Sequence, residues 1–355
     1  MMSEQASLNN VKLHQLLDMY LVPYVKKIDQ EAHYAESYLQ KLGEAGYFTI
    51  TNKTQSGILL QRTWLVEETA KVCMTTAFCL WCHLASITYI THSNNTHLQQ
   101  NILPKLISGK LIAATGLSNP LKAFAQLERN HLTATKVAGG YVINGCLPAV
   151  SNIEQDHGLA FIANVSEEES IMFLTMCNVH GLTLQQHKNF FGLNGSATYR
   201  CNFEDVFVSN ENIIANKAFE FIQQVRAEFV SYQIPLGLGV IAASVKEIEA
   251  ALSGNDGINK SLRVQPSMLN ERYHTLRDTY RQLTQKETIP WNQIIQIRLE
   301  VAYLTLDAVQ AGMIHSGGAG YIKTSHFARR LREAYFIVNL TPTVKHLEKI
   351  IKVPA

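Results

Sequence analysis

The chain has 355 residues, of which 46% are hydrophobic, and this is enough apolar material for one large core or several domains. Its 31 basic and 29 acidic residues are interspersed and leave a net charge of +2. This balance excludes the electrostatic footprint of a protein that binds nucleic acid or an anionic membrane surface, so we expect neither partner.

Signals for export or membrane insertion are weak. The first ten residues are polar, unlike a signal peptide. The most apolar stretch, residues 230–245, is interrupted by polar residues, a proline and glycines, which argues against a membrane span. The six cysteines lack the spacing of a secreted disulfide framework, and we expect a reduced, cytoplasmic protein.

Hydrophobic periodicity divides the chain into three parts. Helical spacing is found at residues 13–21 and 64–91. Strand-like runs follow at 141–145, where Asn-Gly signals a turn, and at 159–163, 171–175 and 199–208. Helical patterns return at Phe219 and occupy residues 236–248, 262–283, 291–315, 327–336 and the segment after Pro342. We therefore predict a helical domain over residues 1–112, a β-domain over 113–215 and a second helical domain over 216–355.

A Cys-x-x-Cys-His motif and the thirteen histidines could in principle bind haem or a metal, but we interpret both as structural. Cys79-Leu-Trp-Cys82-His83 matches the pattern that attaches c-type haem, but it falls within an apolar helical stretch. Thirteen histidines occur without an HxxxH or HExxH spacing, and His83, His92 and His97 are interpreted as packing or surface residues. We predict no metal site.

Eight short segments resemble motifs of the acyl-CoA dehydrogenase superfamily and occur in that family's order. They are 103–114 (LPKLISGKLIAA), 116–120 (GLSNP), 141–145 (YVING), 150–152 (VSN), 191–198 (FGLNGSAT), 203–208 (FEDVFV), 316–321 (SGGAGY) and 329–334 (RRLREA). The resemblance implies an α+β fold with an N-terminal helical domain, a central β-barrel-like domain and a C-terminal four-helix bundle. It also implies a homodimer or homotetramer.

The resemblance further implies a site for FAD. Leu117 and Ser118 match residues that face the pyrimidine edge of the flavin, and the Ser151 hydroxyl matches one that meets flavin N5. Both serines could instead be ordinary turn residues. The full set implied to contact the cofactor is Leu117, Ser118, Ala149, Val150, Ser151, Arg263, Gly317, Gly318 and Thr343.

Several cofactor positions depart from the family pattern. Ala149 stands where relatives carry a Trp that covers one ring face, and Ile314 stands where they carry a Gln. Arg263 belongs to the segment 263–267, which keeps an Arg and a Gln of the family motif but replaces its Phe-Gly; a surface ion pair is the alternative role for Arg263. These changes predict weak retention of FAD, or reduced FMN or FAD as a diffusible co-substrate.

The usual catalytic base is also missing. Acyl-CoA dehydrogenation needs a carboxylate to remove the α-proton, and Thr341 occupies its usual position. Some relatives carry the glutamate on the first C-terminal helix, at a position that falls on Ala227 or Glu228. Glu228 is therefore the candidate base, expected beside the flavin with a raised pKa; the alternative is a glutamate in an ion pair on the helix face.

Three functions remain open. The first is a flavin-dependent oxidoreductase acting on an acyl thioester, bound to CoA or to an acyl carrier protein, in a biosynthetic role. The second is a monooxygenase of the same fold that uses reduced flavin and O₂; such relatives lack the base, and Ser151 fits their pattern. The third is a catalytically inactive subunit that pairs with an active homologue.

Overall fold

The computed structural model describes residues 4–50, 54–187, 189–252 and 255–352. The chain order is helices, then strands, then helices. The helices are α1 Glu4–Tyr20, α2 Val25–Gln30, α3 Glu36–Glu44, α4 Gln55–Val72, α5 Met74–His92, α6 Leu103–Ile107, α7 Ser118–Phe124, α8 Ala218–Ser231, α9 Ile234–Ala251, α10 Pro266–Thr284, α11 Trp291–Ser316, α12 His326–Asn339 and α13 Val344–Lys352.

The long helical run expected between residues 64 and 91 is two helices, α4 and α5, separated at Cys73. Cys73 is extended, with φ −152° and ψ 109°, so the helical hydrogen bonding is interrupted there. The buried Glu333 carboxylate of α12 accepts from the backbone N–H and the hydroxyl of Thr75, in the first turn of α5. A negative group at a helix N-terminus is stabilising, and Arg329 pairs with the same carboxylate at 3.0 Å. This contact ties the C-terminal helices to the start of α5.

The strands form one sheet, in the order β6-β7-β3-β2-β4-β5-β8, with β1 parallel to β4. Most other pairs are antiparallel. The strands are β1 Ala113–Thr115, β2 Leu132–Val137, β3 Gly140–Val150, β4 Gly158–Asn164, β5 Ser170–Met176, β6 Leu182–Gln186, β7 Tyr199–Ser209 and β8 Ile213–Ala215. One face of the sheet has its own apolar core, which includes Ile143, Phe161 and Phe203.

The prediction of a turn at Asn144-Gly145 is wrong, because strand β3 continues through these residues to Val150. The pairing of β3 with β7 shifts register here, as in a β-bulge. Gly145 has φ +123°, and a Cβ on it would lie 2.1 Å from the His131 carbonyl oxygen. The Asn144 side chain donates to Asp205 Oδ1 and accepts from the Asp205 N–H, each at 2.9 Å. The Asn-Gly pair therefore marks a bulge within a long strand.

Two glycines of α9 allow close helix packing, one against α4 and the other against α11. A Cβ on Gly239 would lie 2.5 Å from Ala70 Cβ in α4, and one on Gly237 would lie 2.5 Å from Val301 Cγ1 in α11. Residues 218–251 contain an 18-residue window long and apolar enough to cross a membrane, but 94% of that window is buried inside the molecule. This buried window therefore has the character of a core helix, as its interrupting glycines suggested.

A second, larger apolar core joins the N-terminal and C-terminal helices with the other face of the sheet. The expected fold class is confirmed: helices precede and follow a central sheet. The last helix before the sheet ends at Ile107, and the first helix after it begins at Ala218. The division into domains at residues 112 and 215 stays a prediction.

Candidate functional site

A cavity of about 340 Å³ lies where the sheet meets α5, α8 and α12. We call it the chamber. Aromatic side chains of the helices form much of its wall, including Phe78, Trp81 and Phe229. Four predicted cofactor residues line it, namely Leu117, Ser118, Ala149 and Ser151, together with Thr341 at the predicted base position. The structure therefore brings together residues that are more than 200 positions apart in sequence.

A row of hydroxyl groups leads away from the chamber at Ser151. Ser151 Oγ lies 2.7 Å from Thr198 Oγ1, which lies 2.8 Å from Ser196 Oγ. Ser196 Oγ donates to the Leu193 carbonyl at 2.7 Å. All three hydroxyl-bearing residues line the chamber, and Ser196 and Thr198 are buried. Ser151 is thus held by a polar row rather than left as a free turn serine.

Asn152 fixes the backbone beside Ser151. It is fully buried with φ +62°, a conformation that Asn tolerates better than most residues. Its Oδ1 accepts from the Tyr34 hydroxyl at 2.6 Å, and its Nδ2 donates to the Ala113 carbonyl at 2.9 Å. Its own carbonyl lies 3.1 Å from His157 Nδ1. These bonds anchor the end of β3 to the N-terminal helices and to the start of the sheet.

His157 belongs to a small polar cluster that the sequence did not reveal. A carbonyl oxygen only accepts, so His157 Nδ1 carries a proton toward Asn152. The other ring nitrogen lies 3.3 Å from Glu36 Oε1, and an ionised carboxylate also only accepts. The ring of the buried His157 thus lies between two oxygen acceptors, and its hydrogen bond lowers the pKa of Glu36. Ligand atoms of Glu36, Asp156 and His157 lie within 4.8 Å of one another, close enough to hold a cation.

Thr341 faces Ser118 across the chamber, with their hydroxyl oxygens 2.9 Å apart. The Thr341 carbonyl accepts from Gln233 Nε2 at 2.9 Å, and Gln233 Oε1 accepts from Arg298 Nε at 3.1 Å. Arg298 is fully buried and also donates to the Ile337 carbonyl. Burial lowers the pKa of Arg298 to about 10. The predicted base position therefore carries a neutral hydroxyl on a firmly held segment.

The chamber wall carries little charge. Among the described residues that line it there is no aspartate or glutamate, and Arg332 is the one charged residue. Arg332 Nη2 lies 2.5 Å from Asp29 Oδ2, so its charge is already compensated. The described wall thus offers hydroxyl groups and apolar surface, but no carboxylate to act as a general base.

The expected position and pKa of Glu228 are wrong. Glu228 lines a different cavity, of about 560 Å³, with Gln55 and Ala227. It is buried there and accepts hydrogen bonds from Thr88, Gln55 and the Tyr232 hydroxyl.

Burial raises the pKa of Glu228, but contact with His92 at 3.1 Å and the Arg62 charge at 3.6 Å outweigh it. The net effect lowers the pKa to about 2. Glu228 is therefore a permanently ionised structural carboxylate, in agreement with the ion-pair alternative.

The remaining predicted cofactor residues do not reach the chamber within this chain. The Val150 side chain is buried in the core of the sheet. Arg263, Gly317 and Gly318 are exposed, and Thr343 accepts the His346 N–H at 3.3 Å. The Arg263 and Gly317 segments do meet each other, because His315 Nε2 lies 2.8 Å from the Val264 carbonyl oxygen. Their role toward a cofactor, which in relatives belongs to a neighbouring subunit, stays a prediction.

The chamber has the polar and apolar groups that the flavin ring needs. A flavin requires polar contacts at its pyrimidine edge and N5, and apolar cover elsewhere. Ser118 and Ser151 supply hydroxyl groups on the chamber wall, and the aromatic residues supply apolar cover. Ala149 is exposed to the cavity where a bulkier residue would close it, so one ring face would lack aromatic cover. The residues fit a flavin held by few contacts.

The residues of the haem-like motif are buried in α5. Cys79 and Cys82 are buried within α5 as free thiols, and burial raises the pKa of each. His83 Nδ1 accepts the Ala113 N–H at 3.2 Å, and Nε2 donates to the Leu106 carbonyl at 3.1 Å. Burial lowers the pKa of His83 to about 3, so the ring is neutral.

Comparison with known proteins finds the same family that the motifs resemble. Residues 4–110 match the family model described as acyl-CoA dehydrogenase, N-terminal domain. A mitochondrial isovaleryl-CoA dehydrogenase of Solanum tuberosum is 27% identical over 205 residues, which is 55% of this chain and 50% of the relative. The chain thus spans about half the length of this curated relative.

Solved structures extend the similarity to the whole fold. Butyryl-CoA dehydrogenase from Megasphaera elsdenii superposes with a TM-score of 0.85 at 18% identity, covering 97% of this chain and 96% of that one. The prolyl acyl carrier protein oxidase AnaB gives 0.84 at 15%, covering 99% of each chain. PigA with FAD and proline gives 0.84 at 16%, covering 99% and 97%. The family model over residues 4–110 and the curated relatives support membership of the acyl-CoA dehydrogenase superfamily, and the solved structures show the fold of that superfamily across the chain.

Proposed function

We propose that the chain is a flavin-dependent oxidoreductase that acts on an acyl thioester, carried by an acyl carrier protein or by CoA. The observation that carries the proposal is the chamber, a hydroxyl-bearing and otherwise largely apolar cavity at the junction of sheet and helices. Its flavin candidates and Thr341 face one another there. Two solved structures of similar fold support the proposal: AnaB, a prolyl acyl carrier protein oxidase, supports a carrier-bound substrate, and PigA with FAD and proline supports the flavin.

In the chamber, a bound flavin would accept a hydride from the acyl chain. Ser118 would bind the polar edge of the flavin, and Thr341, whose hydroxyl lies 2.9 Å from that of Ser118, would bind a polar atom of the substrate. Phe78, Trp81 and Phe229 would exclude water around them. No carboxylate of the described wall can take the α-proton, so we propose substrates whose proton leaves to solvent or to a basic group of the substrate itself.

The decisive experiment separates cofactor binding from turnover. The purified protein would be titrated with FAD and with FMN, then mixed without oxygen with prolyl and butyryl thioesters of a carrier protein and of CoA. Loss of the oxidised flavin absorbance with one of these thioesters is the expected result. A protein that binds flavin but leaves it oxidised with all of them, at substrate excess, would contradict the oxidoreductase.

A monooxygenase is the second candidate, and the carboxylate-free wall favours it. Such an enzyme uses reduced flavin and O₂ and has no need of a base for α-proton removal. The same preparation would be supplied with chemically reduced FAD and then exposed to O₂ with the thioester. Product heavier by one oxygen atom would favour this reaction. An inactive subunit would give neither result.

A further inference from the structure

The hydroxyl row at Ser151 has a defined donor direction. A hydroxyl group has one hydrogen to donate. The hydrogen of Ser196 is used on the Leu193 carbonyl, which can only accept. In the contact between Ser196 and Thr198, the hydrogen must therefore come from Thr198. By the same reasoning Ser151 donates to Thr198, and its oxygen is left with free lone pairs on the chamber side.

We propose that this row makes Ser151 an acceptor toward flavin N5 and so selects reduced flavin over oxidised flavin. Reduced flavin carries a hydrogen on N5 that Ser151 can accept, whereas oxidised N5 carries only a lone pair. For Ser151 to donate to oxidised N5, the row must give up one of its buried hydrogen bonds. The proposal rests on the proposed function, because it takes N5 to face Ser151. Ser196 and Thr198 act through Ser151 and are positioning residues.

The first test compares the affinities of the two flavin states. Dissociation constants would be measured without oxygen for oxidised FAD and for chemically reduced FAD. We expect the wild-type protein to bind the reduced form up to about tenfold more tightly, since one hydrogen bond to N5 differs between the states. For a two-electron couple, tenfold corresponds to about 30 mV in midpoint potential. Equal affinities in the wild-type protein would overturn the proposal.

Variants of the row test its direction. Ser196→Ala frees Thr198 to donate toward Ser151, which then can donate into the chamber, so the preference should fall by about tenfold. In this variant the Leu193 carbonyl still accepts the hydrogen bond from the backbone N–H of residue 196, at 3.0 Å, so the local fold should be preserved. Thr198→Ser preserves the row and should preserve the preference. An unchanged ratio in Ser196→Ala would overturn the proposal, whereas a protein that binds neither flavin state would contradict the proposed function itself.

An independent observation concerns a second cavity, of about 570 Å³, which we call the side groove. It shares Leu121, Phe229 and Thr341 with the chamber, so the two spaces adjoin. Most of its wall is apolar, and no aspartate or glutamate is among the described residues that line it. Arg226 is its one permanently charged residue, and the guanidinium carbon lies 4.4 Å from the centre of the Trp291 ring.

Two groups in the side groove lack polar partners. Burial lowers the pKa of Arg226, and no carboxylate of the described chain pairs with it. His346 is buried in the same wall, and its Nδ1 has no hydrogen-bond partner. Burial and the nearby Lys349 lower the pKa of His346, so the ring is neutral. A partly desolvated cation beside a free imidazole is complementary to an anionic ligand.

We infer that the side groove receives a short acyl group ending in a carboxylate, with Arg226 as its anion contact. Arg226 precedes Phe229 by three residues, about 4.5 Å along the helix axis. Because the side groove adjoins the chamber at Phe229, an anion only a few bonds beyond the thioester can reach Arg226. The inference rests on the proposed function, because it places the thioester in the chamber.

Three probes separate the acyl carboxylate from the phosphate. They are glutaryl-pantetheine, its methyl ester, and valeryl-phosphopantetheine, each titrated calorimetrically into the flavin-loaded protein. We expect the wild-type protein to bind glutaryl-pantetheine about tenfold more tightly than the methyl ester, and Arg226→Met to lose this preference. Arg281→Met removes an exposed arginine of α10 and serves as the control.

Each outcome bears on the inference in a different way. Equal binding of glutaryl-pantetheine and its methyl ester, or a preference that survives in Arg226→Met, would overturn it. If only valeryl-phosphopantetheine weakens in Arg226→Met, Arg226 contacts the arm phosphate and the acyl carboxylate is again excluded. Binding of none of the three thioesters would instead contradict the proposed function.

Discussion

The chamber and the Glu228 cluster differ in how they handle charge. In the chamber, hydroxyl groups and aromatic walls surround an open space, and no carboxylate is present among its described lining residues. The Glu228 carboxylate, in contrast, is packed against Arg62, His92 and Tyr232. Its oxygens are already engaged in hydrogen bonds and ion pairs within the protein. Chemistry needs polar groups that are free to meet a substrate, and of these two regions it is the chamber that leaves them free.

The two regions are separated by one step along α8. Phe229 lines the chamber, while its neighbour Glu228 lines the cavity on another side of the helix. Consecutive residues on an α-helix do not share a face, because each step rotates by about 100°. When the position of a catalytic glutamate is aligned with an uncertainty of one residue, that one residue decides whether the carboxylate points toward the substrate or away from it. The structure resolves it against a catalytic role for Glu228.

The largest expected effect comes from Glu228→Gln. Removing the charge leaves the buried Arg62 guanidinium uncompensated, and breaking such a pair typically costs about 3–5 kcal/mol. We therefore expect a loss of this size in the free energy of unfolding, measured with urea. Glu220→Gln, on an exposed side chain of the same helix, is the control. Flavin affinity should stay within about twofold of wild type, a difference of only about 0.4 kcal/mol.

The pH dependence of stability sharpens this test. The pKa of Glu228 is lowered to about 2 in the fold, against about 4.3 for an unperturbed glutamate. A depressed pKa contributes stability that is complete above the unfolded value and is lost as pH falls toward the folded one. Glu228→Gln should remove this part of the acid sensitivity between about pH 4 and pH 2. If Glu228→Gln kept the stability of the wild-type protein but no longer oxidised the thioester, Glu228 would have to be the catalytic base after all.

The next effect concerns Thr341, which occupies the base position inside the chamber. Thr341→Glu should place a carboxylate beside Ser118, where it can take a proton from the α-carbon of a bound thioester. General-base catalysis typically supplies about 10²–10⁴-fold, and an unoptimised glutamate should reach the lower end. The measurement is deuterium incorporation at the α-carbon of butyryl-CoA in D₂O. Thr341→Gln has the same size without the base, and equal exchange in both variants would contradict the prediction.

Much of the fold could be predicted because long elements leave clear periodic patterns. Helix α11 and strands β4, β5 and β7 lie where the sequence predicted them. Helix α7, over Ser118–Phe124, was missed because Pro120 within it resembles a turn signal. A proline near a helix start is compatible with the helix, because the first N–H groups have no helical partner.

The candidate site was only partly predictable. Ser118 and Ser151 lie in short motifs of fixed local geometry, and both line the chamber. The groups that hold Ser151 in place come from far away in sequence, and neither Tyr34 nor His157 belongs to a motif. Burial and pairing depend on tertiary contacts, so the charge state of Glu228 could not be inferred from its position on a helix.

The smallest expected effect lies behind the chamber, at Glu36. Its carboxylate faces the His157 ring, which in turn holds the Asn152 carbonyl beside Ser151. Contact with His157 lowers the pKa of Glu36, so the pair contributes stability above the unfolded glutamate pKa of about 4.3 and loses it as the pH falls below that value. Because Glu36 is partly exposed, we expect only about 0.5–1 kcal/mol from Glu36→Gln.

Urea unfolding at pH 7 and pH 4 would test this prediction, with Glu44→Gln as the control, since Glu44 forms an exposed pair with Lys41. Glu36→Gln should show a smaller loss of stability than wild type between the two pH values. It should also weaken flavin binding by a few-fold, which corresponds to about 0.5–1 kcal/mol of binding free energy. The reason is that the backbone beside Ser151 would be held less firmly. An effect on flavin binding as large as that of Ser151→Ala would contradict this, since Glu36 acts on the chamber only through His157 and Asn152.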